Sequence, residues 1–137
     1  NLRSTANWPK FSLPTLTYHE ASPGHHLQVA LQRETETLPP YRRANGFSAY
    51  NEGWALYAEA VAADDLDVYA DGAANSEINR YSIMPGQACS YKIGHTVIAR
   101  LRAEQQARPG FDLRAFHDKV LVNGSVPLAV LEELIRG

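Results

Sequence analysis

The sequence predicts an all-α protein folded as a compact helical bundle. Apolar residues recur at helical spacing in several stretches, and no segment alternates apolar and polar residues for long, as a strand would. Prolines and glycines separate these stretches, as expected for helices joined by turns. With 137 residues and 45% hydrophobic content, residues 1–137 are predicted to form a single domain with a modest core.

Two helices are predicted in the N-terminal half. Residues 1–14 contain two prolines and little periodicity, which indicates an extended arm. The first helix is expected from about Leu16 to Thr37, because Pro39-Pro40 prevents its continuation. The second is expected from about Ala49 to Ala63, where apolar residues lie at helical spacing.

Three more helices are predicted in the C-terminal half, after a polar, turn-rich connection, "ADDLDVYADGAANSE". After Pro85, "GQACSYKIGHTVIARLRAEQQA" is typical of a long helix that ends at Pro109-Gly110. Asp112 is a suitable N-cap for "LRAFHDKVL". Asn123-Gly124 predicts a turn, and Pro127 lies in the first turn of a last helix, "LAVLEELI".

Charge and composition exclude several classes of function. The net charge is −2 and the basic residues are scattered, so nucleic acid is not an expected partner. No apolar run approaches the roughly 20 residues of a membrane span. Cys89, the single cysteine, forms no internal disulfide and is predicted to be a small core residue. Because Asn1 does not open a signal peptide, a soluble, cytoplasmic chain is expected.

The segment "TYHEASPGHHLQ" concentrates three of the five histidines. Imidazole nitrogens are common zinc ligands, which makes His19 and His25 candidates. In the HExxH helix the second histidine lies four residues after the first, whereas here the interval is six. Pro23-Gly24 disrupts a helical backbone, so we expect a bulge that returns His25 to the same side as His19.

A third ligand is expected from the second helix. The turn at Pro39-Pro40 should fold that helix back on the first, which brings Glu52 towards the two histidines. Glu20 then remains as the general base. Glu59 lies two turns after Glu52 and is a candidate hydrogen-bond partner of a ligating imidazole. His26 is left open as a fourth ligand, an alternate ligand or a surface residue.

Further candidates lie in "NRYSIMPGQACSYKIG". The hydroxyl groups of Tyr81 and Tyr91 are potential donors to a developing oxyanion, and Arg80 is a potential partner of a substrate carboxylate or phosphoryl oxygen. The alternative is that these residues only hold helices together. His95 and His117 are lone histidines on amphipathic helices and are predicted to be packed or solvated.

These motifs carry a family resemblance. "NEGWALYAE" resembles the "NEGFAxYxE" segment of aminopeptidase N-type gluzincins, in which the glutamate before glycine is the third zinc ligand, here Glu52. In order, "YHEASPGHHLQ", "EGWALYAE", "INRYSIMPGQACSYKIG" and "FDLRAFHDKVLVNGSVPLAVLEE" resemble the catalytic part of the bacterial family called domain of unknown function 885, which is similar to zinc metallopeptidases with gluzincin-like helices. The resemblance implies Zn²⁺ held by His19, His25 and Glu52, with Glu20 as the base.

The chain is shorter than the family pattern. The long helical N-terminal part of such proteins has no counterpart here, and the connection between "WALYAEAV" and "SEINRY" is reduced. Apolar surface that these parts would cover favours self-association, so a homodimer is predicted.

The predicted function is that of a zinc-dependent hydrolase. It would act on peptide or amide bonds or, in this shortened form, on activated esters or phosphotriesters. The alternative is a non-catalytic module with structural zinc, in which four protein ligands would close the site. An oxygen-activating iron site is a third possibility by ligand type, although such chemistry does not need Glu20.

Overall fold

A computed structural model describes residues 13–66 and 85–137, and the regular structure in these ranges is helical throughout, which confirms the all-α prediction. No helix in the described ranges combines the length and apolarity that crossing a bilayer requires. The described part of the chain forms seven helices: α1 (Leu13–Glu20), α2 (His25–Glu34), α3 (Pro40–Ala44), α4 (Ser48–Leu66), α5 (Pro85–Gln106), α6 (Leu113–Leu121) and α7 (Leu128–Arg136).

Helices α4 and α5 pack together along their length and run in the same direction. Near the start of both helices, the hydroxyl oxygens of Ser48 and Ser90 are 3.1 Å apart. Further along, the guanidinium carbon of Arg102 lies 6.0 Å from the ring centre of Tyr57. Because residue numbers increase together along the contact, the pair is parallel.

Two glycines allow the backbones of α4 and α5 to approach closely. A Cβ atom added to Gly53 would lie 2.4 Å from the Cα atom of Gly94. A Cβ atom added to Gly94 would lie 1.8 Å from the carbonyl oxygen of Ala49. Both distances are far below van der Waals contact, so any side chain here would force the two helices apart.

The apolar core lies between α4, α5, α6 and α7. The α6 helix begins as predicted, because the Asp112 carboxylate accepts a hydrogen bond of 2.8 Å from the amide of Ala115. Gly110 and Gly124 have positive φ angles of 78° and 64° at the two predicted turns. The buried cluster comprises Tyr50, Trp54, Tyr57, Ile98, Leu101, Phe116, Val120, Leu121, Val126, Leu131 and Ile135.

The prediction of one bulged helix from Leu16 to Thr37 is wrong. The chain instead forms two helices, α1 and α2, separated by a turn at residues 21–24. A Cβ atom at Gly24 would lie 1.9 Å from the carbonyl oxygen of His19, so only glycine permits this return of the chain. The indole nitrogen of Trp54 donates a 2.9 Å hydrogen bond to the Pro23 carbonyl and thereby fastens the turn to α4.

Other boundaries also differ from the sequence prediction. Leu13 and Pro14 belong to α1 and not to an extended arm, while residues 1–12 lie outside the described ranges. The predicted polar connection begins inside α4, and its remainder, from residue 67, also lies outside them. Helix α3 was not predicted, although Pro40 suits a first helical position. Cys89 is exposed and is not a core residue.

Candidate metal centre

Three side chains from three helices converge on one point. His19 is next to last in α1, His25 opens α2, and Glu52 lies near the start of α4. The Glu52 Oε2 atom is 3.2 Å from the Nε2 atom of His25 and 3.6 Å from the Nε2 atom of His19. One potential ligand atom from each residue lies within 4.8 Å of the others. The turn between α1 and α2 therefore achieves the convergence that a bulge was predicted to provide.

The spacing and chemistry of these three groups fit a zinc ion. Ligand atoms at 2.0–2.1 Å from a tetrahedral zinc are about 3.3 Å apart, close to the two separations from Glu52. Two imidazole nitrogens and a carboxylate oxygen are a ligand set that zinc enzymes use. Such a set leaves a fourth position open for water or substrate.

The carboxylate of Glu59 orients the imidazole of His19 through its Nδ1 atom. Its Oε1 atom lies 2.5 Å from the Nδ1 atom of His19. With the proton on Nδ1 donated to Glu59, the Nε2 atom faces Glu52 and is the one available to a metal. The sequence indicated this role, because Glu59 follows Glu52 by seven residues and both carboxylates therefore lie on one face of α4.

Mutual contacts set the charges of the site. Burial lowers the pKa of His19, but hydrogen bonds with Glu52 and Glu59 outweigh it and raise this pKa to about 9. Burial raises the pKa of Glu52, whereas hydrogen bonds from His19, His25 and Tyr91 lower it to about 2. In the absence of an ion, His19 is an imidazolium between two carboxylates, and a metal must displace its proton.

Two tyrosines were predicted as hydrogen-bond donors to an oxyanion, and the described residues place one of them, Tyr91, at the site. Its ring stacks on the His19 ring, with the ring centres 5.9 Å apart and the planes 20° apart. Its hydroxyl hydrogen-bonds to Glu52. The positions predicted for Tyr81 and Arg80 lie outside the described residues, and their roles remain predictions.

A groove opens beside His25, one of the three converging residues. Glu20, the last residue of α1, is exposed and lines this groove together with His25 and His26. The groove has a volume of about 470 Å³. His26 is exposed and is not one of the three converging residues. Of the three alternatives that the sequence left open for His26, this position fits a surface residue.

The two remaining histidines pack elsewhere. The Nε2 atom of His117 is 2.9 Å from the hydroxyl of Tyr57, and its ring meets the Trp54 indole edge-on. Burial, and then the charge of Arg102, lower the pKa of His117. His95 is half-buried on α5 and, among the described residues, belongs to no metal-binding group.

Sequence reasoning missed the supports of the site more than its ligands. The indole of Trp54 holds the turn that carries Pro23, and no motif predicted this contact. The close contact of Gly53 with Gly94 was not foreseen either. An isolated glycine within a long helical pattern was the available signal for Gly94.

The chain belongs to the family described as "Bacterial protein of unknown function (DUF885)", whose profile matches residues 1–75 and 68–135. It is also similar to a solved structure, "The crystal structure of the putative lipoprotein from Colwellia psychrerythraea", with 40% sequence identity and a TM-score of 0.87. The match covers 99% of this chain and 32% of the other, so the chain spans about a third of that relative's length. No curated protein matches.

This comparison overturns the predicted location. A protein 40% identical to this chain is described as a lipoprotein, a class of protein attached to a membrane by its lipid. The prediction of a cytoplasmic location, which was based on Asn1, is therefore wrong.

Proposed function

We propose that this chain is the active-site core of a zinc-dependent hydrolase related to the gluzincin metallopeptidases. The observation that carries the proposal is the convergence of His19, His25 and Glu52 at separations that suit one zinc ion. Glu59 adds support, since carboxylates commonly orient a zinc-bound imidazole in this way. The order of the ligands along the chain, two histidines and then a glutamate on a later helix, resembles that of gluzincins.

Zinc in such a site acidifies a water molecule and polarises a carbonyl or phosphoryl group. Glu20 adjoins the ligands at the end of α1 and faces the open groove, where it would accept the proton of the attacking water. The Tyr91 hydroxyl, next to Glu52, would donate a hydrogen bond to the oxygen that becomes negatively charged. Glu20 shares α1 with His19, and Tyr91 lies on α5, which packs against the helix that carries Glu52.

The substrate proposed first is a peptide bond, with activated esters and phosphotriesters as the alternatives. Because the chain spans about a third of its similar solved structure, residues elsewhere in a longer protein would complete the cleft of such a relative. A panel of fluorogenic peptides, aryl esters and phosphotriesters, assayed with zinc-loaded protein and again after chelation, separates these classes.

A purely structural zinc site is the rival interpretation, and it requires a fourth protein ligand. His26 is exposed and stands apart from the converging group, which favours an open position. X-ray absorption spectroscopy of the zinc-loaded protein decides between the two. A zinc ion bound by three protein ligands and one oxygen atom from water would support the catalytic proposal. A zinc ion bound by four protein ligands would contradict it.

Replacing Glu20 with glutamine tests the proposed base. Glu20→Gln should bind one zinc ion as the parent does and lose at least about a hundredfold in kcat, because the amide cannot take up the proton. Glu36→Gln, at an exposed carboxylate outside the site, is the matched control and should keep full activity. A zinc-replete Glu20→Gln protein that turns over like the parent would falsify the assignment.

We also propose that the chain self-associates and that it acts outside the cytoplasm. Large apolar side chains are exposed, among them Leu13 at 46% and Ile93 at 54%. The likeness to a lipoprotein supports the location. Light scattering at micromolar concentration should give the mass of a homodimer, and a monomer mass would remove that part of the proposal.

A further inference from the structure

The groove beside the metal centre continues along α2. Beyond Glu20 and His25 its lining is formed by residues of one helix face, which end at Arg33 and Glu34. Val29 and Ala30 give the middle of the groove a small, apolar floor. A second depression of about 370 Å³ adjoins it, and Arg33 lines both. The two hollows share Arg33, and we call them the path, which runs from His25 to the end of α2.

Two arginines stand at the far end of this path. Arg33 is exposed and, within the described part of the chain, has no hydrogen bond or ion pair. Arg43 lines the second depression with Arg33, and its Nε atom is buried without a hydrogen-bond partner there. Glu34 is the acidic group that lines the groove at this end, and among the described contacts it forms no ion pair with Arg33, while Glu20 lies at the opposite end. Positive charge therefore exceeds negative charge at this end.

Gln32 fixes the position of Arg43 relative to α2. Its side-chain amide donates hydrogen bonds of 2.7 Å to the carbonyl oxygens of Arg42 and Asn45, which flank the end of α3. Its own carbonyl oxygen accepts from the amide of Ser125 at 3.1 Å. Gln32 is buried, so these bonds are shielded from water. The short helix that carries Arg43 is thus held firmly against the groove.

The length of the path indicates what it could hold. Arg33 follows His25 by eight residues, which corresponds to about 12 Å along a helix. An extended peptide advances about 3.3–3.6 Å per residue, so three to four residues span this distance. Guanidinium groups recognise carboxylates through paired, charge-assisted hydrogen bonds.

We propose that Arg33, assisted by Arg43, binds the free C-terminal carboxylate of a peptide whose scissile bond lies at the metal centre. The inference rests on the proposed hydrolase function and narrows its substrate class. Substrates would be short peptides with about three residues on the carboxyl side of the cleaved bond. Specificity would come from the terminal charge more than from side chains, because the floor of the groove is small and apolar.

The test compares binding of two probes to zinc-loaded Glu20→Gln protein. One probe is penta-alanine with an N-terminal fluorophore and a free carboxylate, and the other is its C-terminal amide. Fluorescence anisotropy should show about tenfold tighter binding of the acid, and the difference should shrink at high salt. Arg33→Gln should abolish the preference, while Arg33→Lys should keep part of it because the charge remains.

Arg114→Gln is the matched control, since Arg114 is exposed on α6 and forms no described contact. It should retain the preference for the acid. Equal affinity for acid and amide, or an undiminished preference in Arg33→Gln protein with normal zinc content, would overturn the inference.

Turnover by the parent protein is measured separately. Hydrolysis of peptides without any preference for a free C-terminus would leave the hydrolase proposal intact and refute the inference. A preference for the acid in binding, without turnover of any substrate, would support the recognition site and refute the hydrolase proposal.

Discussion

The metal centre and the apolar core share one helix but differ in what holds them together. On the core side of α4, Tyr50 and Trp54 are almost fully buried against apolar neighbours. On the other side, Glu52 and Glu59 face imidazoles in a partly buried network of charges. The core gains free energy from apolar burial, whereas the network confines charges that a metal would neutralise. A buried apolar face of α4 therefore supports a polar face that contributes to the proposed zinc site.

The difference implies that the two regions can be altered separately. Substitutions in the core should change the free energy of unfolding and leave zinc affinity in the folded protein unaltered. Substitutions around the ligands should mainly change zinc affinity, with a smaller effect on the unfolding of the zinc-free protein. The tests below begin with the largest expected effect.

Leu131→Ala tests the core. Leu131 is fully buried on α7, so removing its side chain should cost about 2–5 kcal/mol in the free energy of unfolding. Urea denaturation measures this loss, and the zinc content of the folded protein should stay at the parent value. Val130→Ala, at a neighbouring residue that is 39% exposed, is the control and should have a much smaller effect. Parent-like stability of Leu131→Ala would show that the core is not where we place it.

Glu59→Gln tests the metal centre. Glutamine can still accept the hydrogen bond from His19 but carries no charge, so zinc affinity should fall by about 10–100-fold. Competition with a chromogenic chelator measures the change, and urea denaturation of the zinc-free protein shows whether the fold is retained. Glu133→Gln, at an exposed residue of α7, should bind zinc as the parent does. An equal loss in both variants would contradict a specific role of Glu59.

The smallest expected effect is a dependence of stability on pH. His19 has its pKa raised from 6.5 to about 9, so its contribution to the stability of the zinc-free protein is complete below pH 6.5. That contribution is lost as the pH rises through about 9. The urea midpoint of the zinc-free parent should therefore fall over this range more than that of His19→Gln. Because zinc replaces the proton on His19, the urea midpoint of the zinc-loaded protein should not show this fall. Identical dependence of the midpoint on pH with and without zinc would contradict the raised pKa of His19.

Local signals predicted most helix positions, whereas the three converging side chains were predicted from their motifs together with the family resemblance. The cap at Asp112 and the turns at Gly110 and Gly124 depend on neighbouring residues only, and all three are found. The choice between a bulge and a full break near Pro23 depends on Trp54, which lies 31 residues away. No local pattern contains such a contact.

The exposed position of Cys89 was beyond sequence reasoning for the same reason. A free cysteine is usually buried, but burial depends on which face of α5 meets α4. Gly94 faces Gly53 at the contact between these helices, where a side chain on either residue would clash with backbone atoms of the other helix.

The contact between Gly53 and Gly94 has a consequence for how such a centre can change over evolution. Glu52 directly precedes one glycine, and Tyr91 lies about one turn before the other. A single methyl group added at either glycine would increase the distance between the Glu52 carboxylate and the Tyr91 hydroxyl, although both residues would still be present in the sequence. The dimensions of the candidate centre thus depend on two positions that have no side chain, and a homologue with the same polar residues but a larger residue at either glycine would be expected to lose the spacing between Glu52 and Tyr91.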